Sequence, residues 1–217
     1  KSLGVKNKLY SFYHEKPQSR KWGTDGLLLD SGAFSAWTKG VDINMDDLIS
    51  FIKEVKPENA IQLDVIGDED ATWENYKYMS NLVECLPVIH YKASKKHINR
   101  CFEESNYICL GGLVPLARTP KQLQKWLDYI YSLSIVRSKK IHCLGITSRW
   151  ALIRYPFYSV DSSSALQVVR YPQQCQMKSM LQKTKQRASL LVPEIKKILK
   201  LEKEVTSLWA KRGITWT

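Results

Sequence analysis

Short apolar runs alternate with amphipathic stretches along most of this chain, and that alternation leaves few folds open. Leu27-Leu28-Leu29 and the runs 60–66, 86–91, 107–113, 140–146 and 158–164 read as strands. Between them, apolar residues recur at helical spacing. Leu48, Phe51, Ile52 and Val55 follow Asn44 as a cap, and Pro57 ends that helix. Trp73, Tyr76 and Leu82 follow Thr72; Ile98, Cys101 and Phe102 follow Ser94. Leu123, Trp126, Leu127 and Ile130 follow Thr119-Pro120-Lys121-Gln122, which reads as a capping box with Pro at the first helical position. Trp150 and Ile153 follow Thr147.

The strand-then-helix unit repeats at least five times, and such repetition calls for a parallel sheet with helical crossovers. The predicted fold class is α/β, a (β/α)8-type TIM barrel, compact or incomplete, with basic C-terminal helices over 176–190 and 193–211. Six strands are visible, so a full barrel takes one or two more from 1–24 or from 168–171. The expected division is a barrel domain over 1–175 and a basic helical segment over 176–217 packed on it. The second of its helices has an apolar stripe of Ile195, Ile198, Leu199, Val205, Leu208 and Trp209.

In parallel α/β folds, ligands and catalytic groups collect at the carboxyl ends of the strands. Asp30 stands at such an end, with Ser31, Gly32, Ala33 and Phe34 behind it. Asp64 and Asp161 stand near the ends of two further strands. Each has a plainer reading: Asp30 as a turn residue, Asp64 as a cap toward Gly67, Asp161 as a helix cap before three serines. His90 reads as a satisfied strand-end histidine or a substrate contact, and Ser31 and Phe34 as pocket-shaping residues.

The formal charge of +12 is unevenly spread. Residues 1–24 hold six Lys/Arg against one acid and 176–217 ten against three, while 25–175 hold seventeen of each. A neutral body with basic ends suggests a polyanion gripped by the flanks. Arg149, Arg154, Lys196, Lys197, Lys200 and Lys203 are the candidate nucleic-acid contacts, with solvated cations as the alternative. The five cysteines (85, 101, 109, 143, 175) form no C-x-x-C pair, and the four histidines lack metal-ligand spacing. No structural zinc and no other cofactor is expected. No apolar run approaches a membrane span, no leader-like stretch opens the sequence, and a cytoplasmic protein without membrane contact is expected.

Asp30-Ser31-Gly32-Ala33-Phe34, then Leu110-Gly111-Gly112-Leu113, then Val160-Asp161 after Leu144-Gly145-Ile146 form an ordered set. That set resembles the tRNA-guanine transglycosylase superfamily, β/α barrels that exchange a guanine for a 7-deazaguanine. The resemblance spans 25–166. It implies Asp161 as nucleophile, Asp30 as general acid/base, Asp64 as reader of the guanine edge, and Gly111-Gly112-Leu113 as backbone floor of the base pocket. His90 falls where the family often has Gln. The tRNA enzymes are longer and carry a C-x-C-x-x-C…His zinc site after the nucleophile, where this chain offers Cys175. The compact, zinc-free outline is more similar to the DNA 7-deazaguanine transglycosylase branch, which implies DNA and a 7-deazaguanine base as partners. Exchange on tRNA, a non-catalytic nucleic-acid-binding partner of a fuller homologue, and a sugar hydrolase on the same two carboxylates are the competing expectations.

Overall fold

The computed structural model describes residues 4–14, 24–163 and 180–216. They fall into two compact units. The first takes 6–14, 24–144 and 157–160; the second takes 4–5, 145–156, 161–163 and 180–216.

The first unit alternates as the sequence predicts. Its strands are β1 (Lys8–Ser11), β2 (Leu27–Asp30), β3 (Asn59–Ala60), β4 (Val88–His90), β5 (Tyr107–Gly111), β6 (Lys140–Cys143) and β7 (Ser159–Val160). Between them run α1 (Ala33–Thr38), α2 (Met45–Val55), α3 (Glu69–Ser80), α4 (Lys95–Glu104) and α5 (Pro120–Ser132). All pairings are parallel and follow chain order, β1-β2-β3 in one sheet and β4-β5-β6-β7 in another. A single parallel bridge, Ile61 opposite Leu86, joins β3 to β4. A strand is thus found within 1–24, at Lys8–Ser11. The other stretch considered for a strand, 168–171, lies outside the described residues, and an eighth strand is not among the described ones.

Burial explains the leucine run. Leu29 packs with Leu48, Ile49, Ile52 and Met79, the inward stripes of α2 and α3. Leu28 turns the other way and joins the cluster of Ile61, Leu86, Val88 and Cys109. Side chains alternate along a strand, so Asp30 shares the face of Leu28, His90 that of Val88, and Gly111 that of Cys109. The inner face of the sheet therefore ends, at its carboxyl edge, in Asp30, His90 and a glycine. Tyr10 and Phe12 pack against the α2/α3 side, so the aromatics of the N-terminal segment are structural there; Trp22 lies outside the described residues.

Caps follow the sequence in part. Asn44 Oδ1 accepts the Asp47 N–H (3.0 Å) and Ser94 Oγ the His97 N–H (3.1 Å), as predicted. Helix α3 starts three residues before the predicted Thr72, because Asp68 Oδ1 accepts from both Asp70 (3.1 Å) and Ala71 (2.9 Å). Thr119 makes no capping bond to α5; its hydroxyl donates to Leu116 O (3.4 Å). Helix α6 (Arg149–Arg154), in the second unit, starts after Ser148, not after Thr147 as cap.

The other described helix of the second unit is α7 (Met180–Lys211), which runs on through Pro193 where the sequence predicts two helices. Residues 176–179 lie outside the described residues. Trp209 is buried, and its indole N–H donates to Leu152 O (2.8 Å) while Arg212 donates to Ile153 O (2.6 Å). These bonds satisfy carbonyls at the end of α6 that a helix leaves open. Among the described residues, no helix is long and apolar enough to cross a membrane.

Thr72 is fully buried and ties the loop carrying Asp64 to α3. Its hydroxyl accepts the Val65 N–H (2.9 Å) and lies 2.7 Å from Asp68 O. Thr72→Val keeps the shape and strands the Val65 amide, so urea unfolding is expected to show a loss of about 1–3 kcal/mol.

His97 is also buried. Its Nδ1 accepts from Arg100 Nε (3.0 Å), so Nε2 carries the hydrogen and donates to Val88 O (2.9 Å). Lost hydration lowers its pKa from the ordinary 6.5; the Val88 carbonyl opposes that and the Arg100 guanidinium adds to it. The unfolded chain therefore takes up a proton near pH 6.5 that the folded one still refuses. Stability is expected to be flat above that pH and to fall below it, down to the folded pKa, with a smaller fall in His97→Gln. Unfolding curves at pH 7.5 and about 5 check this.

Candidate active site

At the carboxyl edge of the first unit, three side chains from three successive strand ends meet. Asp64 leaves the sheet just after the Ile61 bridge, and Asn75 Nδ2 holds the turn through Leu63 O (2.9 Å). Asp64 Oδ2 stands 2.7 Å from His90 Nε2, at the end of β4. Its other oxygen accepts a long bond from Ser31 Oγ (3.4 Å), just past β2. Ser31 is fully buried and the Asp64 and His90 side chains are 11% and 15% exposed. Charge-assisted hydrogen bonds of this length are strong, so the pair holds the carboxylate in one orientation.

Two glycines make this geometry possible. Gly32 sits at φ 81° as the residue that turns β2 into α1, and a Cβ there would run into Ser11 Oγ and Tyr13 Cβ. Gly111 gives its space to the imidazole: a Cβ would lie 2.8 Å from His90 Cδ2 and 2.9 Å from Val88 Cγ1. His90 lies over a strand position that only glycine leaves open.

The predicted residues thus separate. Asp64, Ser31 and His90 form one bonded cluster, with Gly111 beneath the ring and Asp30 ending the same inner face. Gly112 is exposed and the side chain of Leu113 is fully buried, so at Leu113 the backbone is what can meet a ligand. Phe34 is 38% exposed and its neighbour Trp37 is 58% exposed. Asp161, in the second unit, is half-buried, and its Oδ1 accepts the Gly145 N–H at 2.8 Å. That bond reaches back sixteen residues, to the strand-end glycine of the Leu144-Gly145-Ile146 motif.

The candidate nucleic-acid contacts of the second unit are partly engaged. Arg149 is ion-paired with Glu204, Lys197 with Glu194 (2.6 Å), and Arg154 stacks on Tyr155 while donating to its hydroxyl (3.1 Å). Lys196, Lys200 and Lys203 are exposed. Among the described residues, no group of three or more His, Cys, Asp or Glu is arranged to hold a metal ion. The Asp64–His90 contact is what sequence reading missed. The two are 26 residues apart, and no local pattern announces that one will grip the other.

No protein-family model and no curated protein matches the chain. Two carboxylates and an imidazole on one sheet edge can accept N–H groups, move protons and hold a flat polar ring against main chain.

Gly111→Ala tests the arrangement at its tightest point. The added methyl must displace the imidazole, so the His90 ring signals in a ¹H–¹⁵N NMR spectrum are expected to lose the signature of a bond to Asp64. Overpacking of this kind costs about 1–3 kcal/mol.

Proposed function

We propose that the chain is a base-exchange transglycosylase that replaces guanine in DNA with a 7-deazaguanine through a covalent Asp161–glycosyl intermediate. In this reading the ordered parallel strands belong to a compact β/α barrel, and the protein works in the cytoplasm without a cofactor. The observation that carries it is the Ser31–Asp64–His90 cluster above Gly111, on the strand edge that Asp30 also ends. A carboxylate offers about four lone-pair sites. Ser31 and His90 occupy two, which leaves acceptors for the ring N–H and amino group of a guanine. Its orientation is fixed before the base arrives.

The steps balance with the chain's own groups. Asp161 attacks the anomeric carbon as the glycosidic C–N bond breaks, and guanine leaves with a proton from Asp30. The incoming 7-deazaguanine gives a proton back to Asp30, and its nitrogen displaces Asp161 from the sugar. Two displacements retain the configuration, as in retaining glycosidases. A target within a duplex must be flipped out to reach the carboxylates.

Asp161→Asn is a clean test, because an amide oxygen still accepts the Gly145 N–H while the nucleophile is gone. Incubation with labelled guanine and duplex DNA or tRNA reads the outcome. Exchange is expected on DNA with the wild type, none with Asp161→Asn, and a fall of about 10²–10⁴-fold with Asp30→Asn. A denaturation-resistant adduct formed with DNA and a 7-deazaguanine is expected to map to Asp161. Label entering tRNA alone would move the reading to the tRNA enzyme. Sugar release without base exchange would move it to a hydrolase, and nucleic-acid binding without either to a non-catalytic partner.

A further inference from the structure

We propose that the loops leaving β4 and β5 form the surface that holds the DNA backbone, with Lys92, Lys95, Lys96, Arg118 and Lys121 as its phosphate contacts. This deepens the exchange reading and rests on it for the choice of DNA as occupant. Counted along the chain, residues 25–175 are neutral, but the fold sorts the charges. The stretches from β2 to the first turn of α2 and from β3 to the first turn of α3 carry Asp42, Asp46, Asp47, Asp64, Asp68, Glu69 and Asp70 against Lys39 alone. Residues 91–102 after β4, and 112–127 after β5, contain no acid at all. Strand pairing sets those two loops side by side: His90 is opposite Gly111, and the Tyr91 N–H donates to Gly111 O (3.1 Å). The Tyr91 ring meets Trp126 of α5 edge to face, with centroids 5.6 Å apart. The loops therefore form one continuous rim beside the Asp64–His90 cluster.

The cations on this rim are available. All five are exposed, and Lys95, Lys96, Arg118 and Lys121 make no ion pair among the described residues. Lys92 lies with its ammonium 5.4 Å from the centre of the Tyr91 ring. Two acids at the start of α3 are engaged, Asp70 with Arg100 (3.1 Å) and Glu69 with the Ser94 N–H (2.8 Å). Glu69 thus occupies an amide at the start of α4, and the lysines are what a phosphate meets. Lys92 is held at φ 64°, strained for a residue with a Cβ, in the turn that joins β4 to α4. Strong like charge argues against a second copy of this basic chain as the occupant and for a polyanion.

The experiment measures binding of a fluorescein-labelled DNA duplex by the full chain between about 50 and 200 mM salt. Two variants are compared with wild type: Lys92→Asn/Lys95→Gln/Lys96→Gln, where Asn tolerates the left-handed backbone, and Arg118→Gln/Lys121→Gln. Each phosphate contact removed is expected to flatten the slope of log affinity against log salt by about 0.9. The rim is supported if either folded variant flattens the slope, whatever substitutions at Lys196, Lys197, Lys200 and Lys203 do. It is overturned if the slope stays at the wild-type value in the folded variants, or if wild type does not bind the duplex. A flattened slope in a protein that never exchanges guanine keeps the rim and disposes of the exchange reading. An unchanged slope with exchange intact does the reverse.

Discussion

The two parallel sheets of the first unit meet at one residue pair, Ile61 opposite Leu86, and the candidate site depends on that junction. The Leu86 N–H donates to Ala60 O (2.8 Å) and the Gln62 N–H to Leu86 O (3.2 Å). These bonds bring the β2/β3 side, which supplies Ser31 and Asp64, alongside β4, which supplies His90. Immediately afterwards the chain leaves the sheet, and Thr72 and Asn75 of α3 catch the departing backbone at Val65 and Leu63. Asp64 is thus held from behind by a helix and from the front by an imidazole. A polar group taken out of water is costly unless it is hydrogen-bonded, and Asp64 is bonded on both oxygens.

Much of the fold was legible because its cause is local. Apolar runs and helical spacing placed six strands and the helices between them, and Asn44 and Ser94 cap as their side-chain chemistry requires. Where legibility failed, two residues competed for one job. At α3 both Asp68 and Thr72 can cap, and the carboxylate wins because it serves two amides while the threonine is drawn inward to Val65. Strand β1 was harder to see for another reason. Lys8, Leu9, Tyr10 and Ser11 are all half-buried, so neither alternation nor a continuous apolar run marks them.

The site was legible as residue types and illegible as contacts. Asp30, Asp64 and Gly111-Gly112 stand out at strand ends in the sequence itself. That His90 would take Asp64 as its partner depends on strand adjacency and on the missing Cβ of Gly111. Spacing along the chain encodes neither. The charge pattern failed to show for a similar reason: seventeen cations and seventeen anions average to nothing along the body, yet seven of the acids stand in the stretches from β2 to the first turn of α2 and from β3 to the first turn of α3, while 91–102 and 112–127 hold seven bases and no acid.

That separation has a physical consequence for the Asp64–His90 pair, which lies on the seam between the two halves. Opposite charges on either side of the pair produce a field across it. A polyanion drawn to the basic side is repelled by the acidic side, so its backbone has one favoured edge to approach. The half of such a ligand that turns toward Asp64 is then the uncharged one. In the proposed exchange reading, a nucleotide keeps its phosphate on the β4/β5 rim and turns its base toward a carboxylate whose remaining lone pairs accept N–H groups and repel bare carbonyls. Orientation in that reading comes from the sorting of charge by topology, and the hydrogen bonds at Asp64 choose among bases already facing the right way.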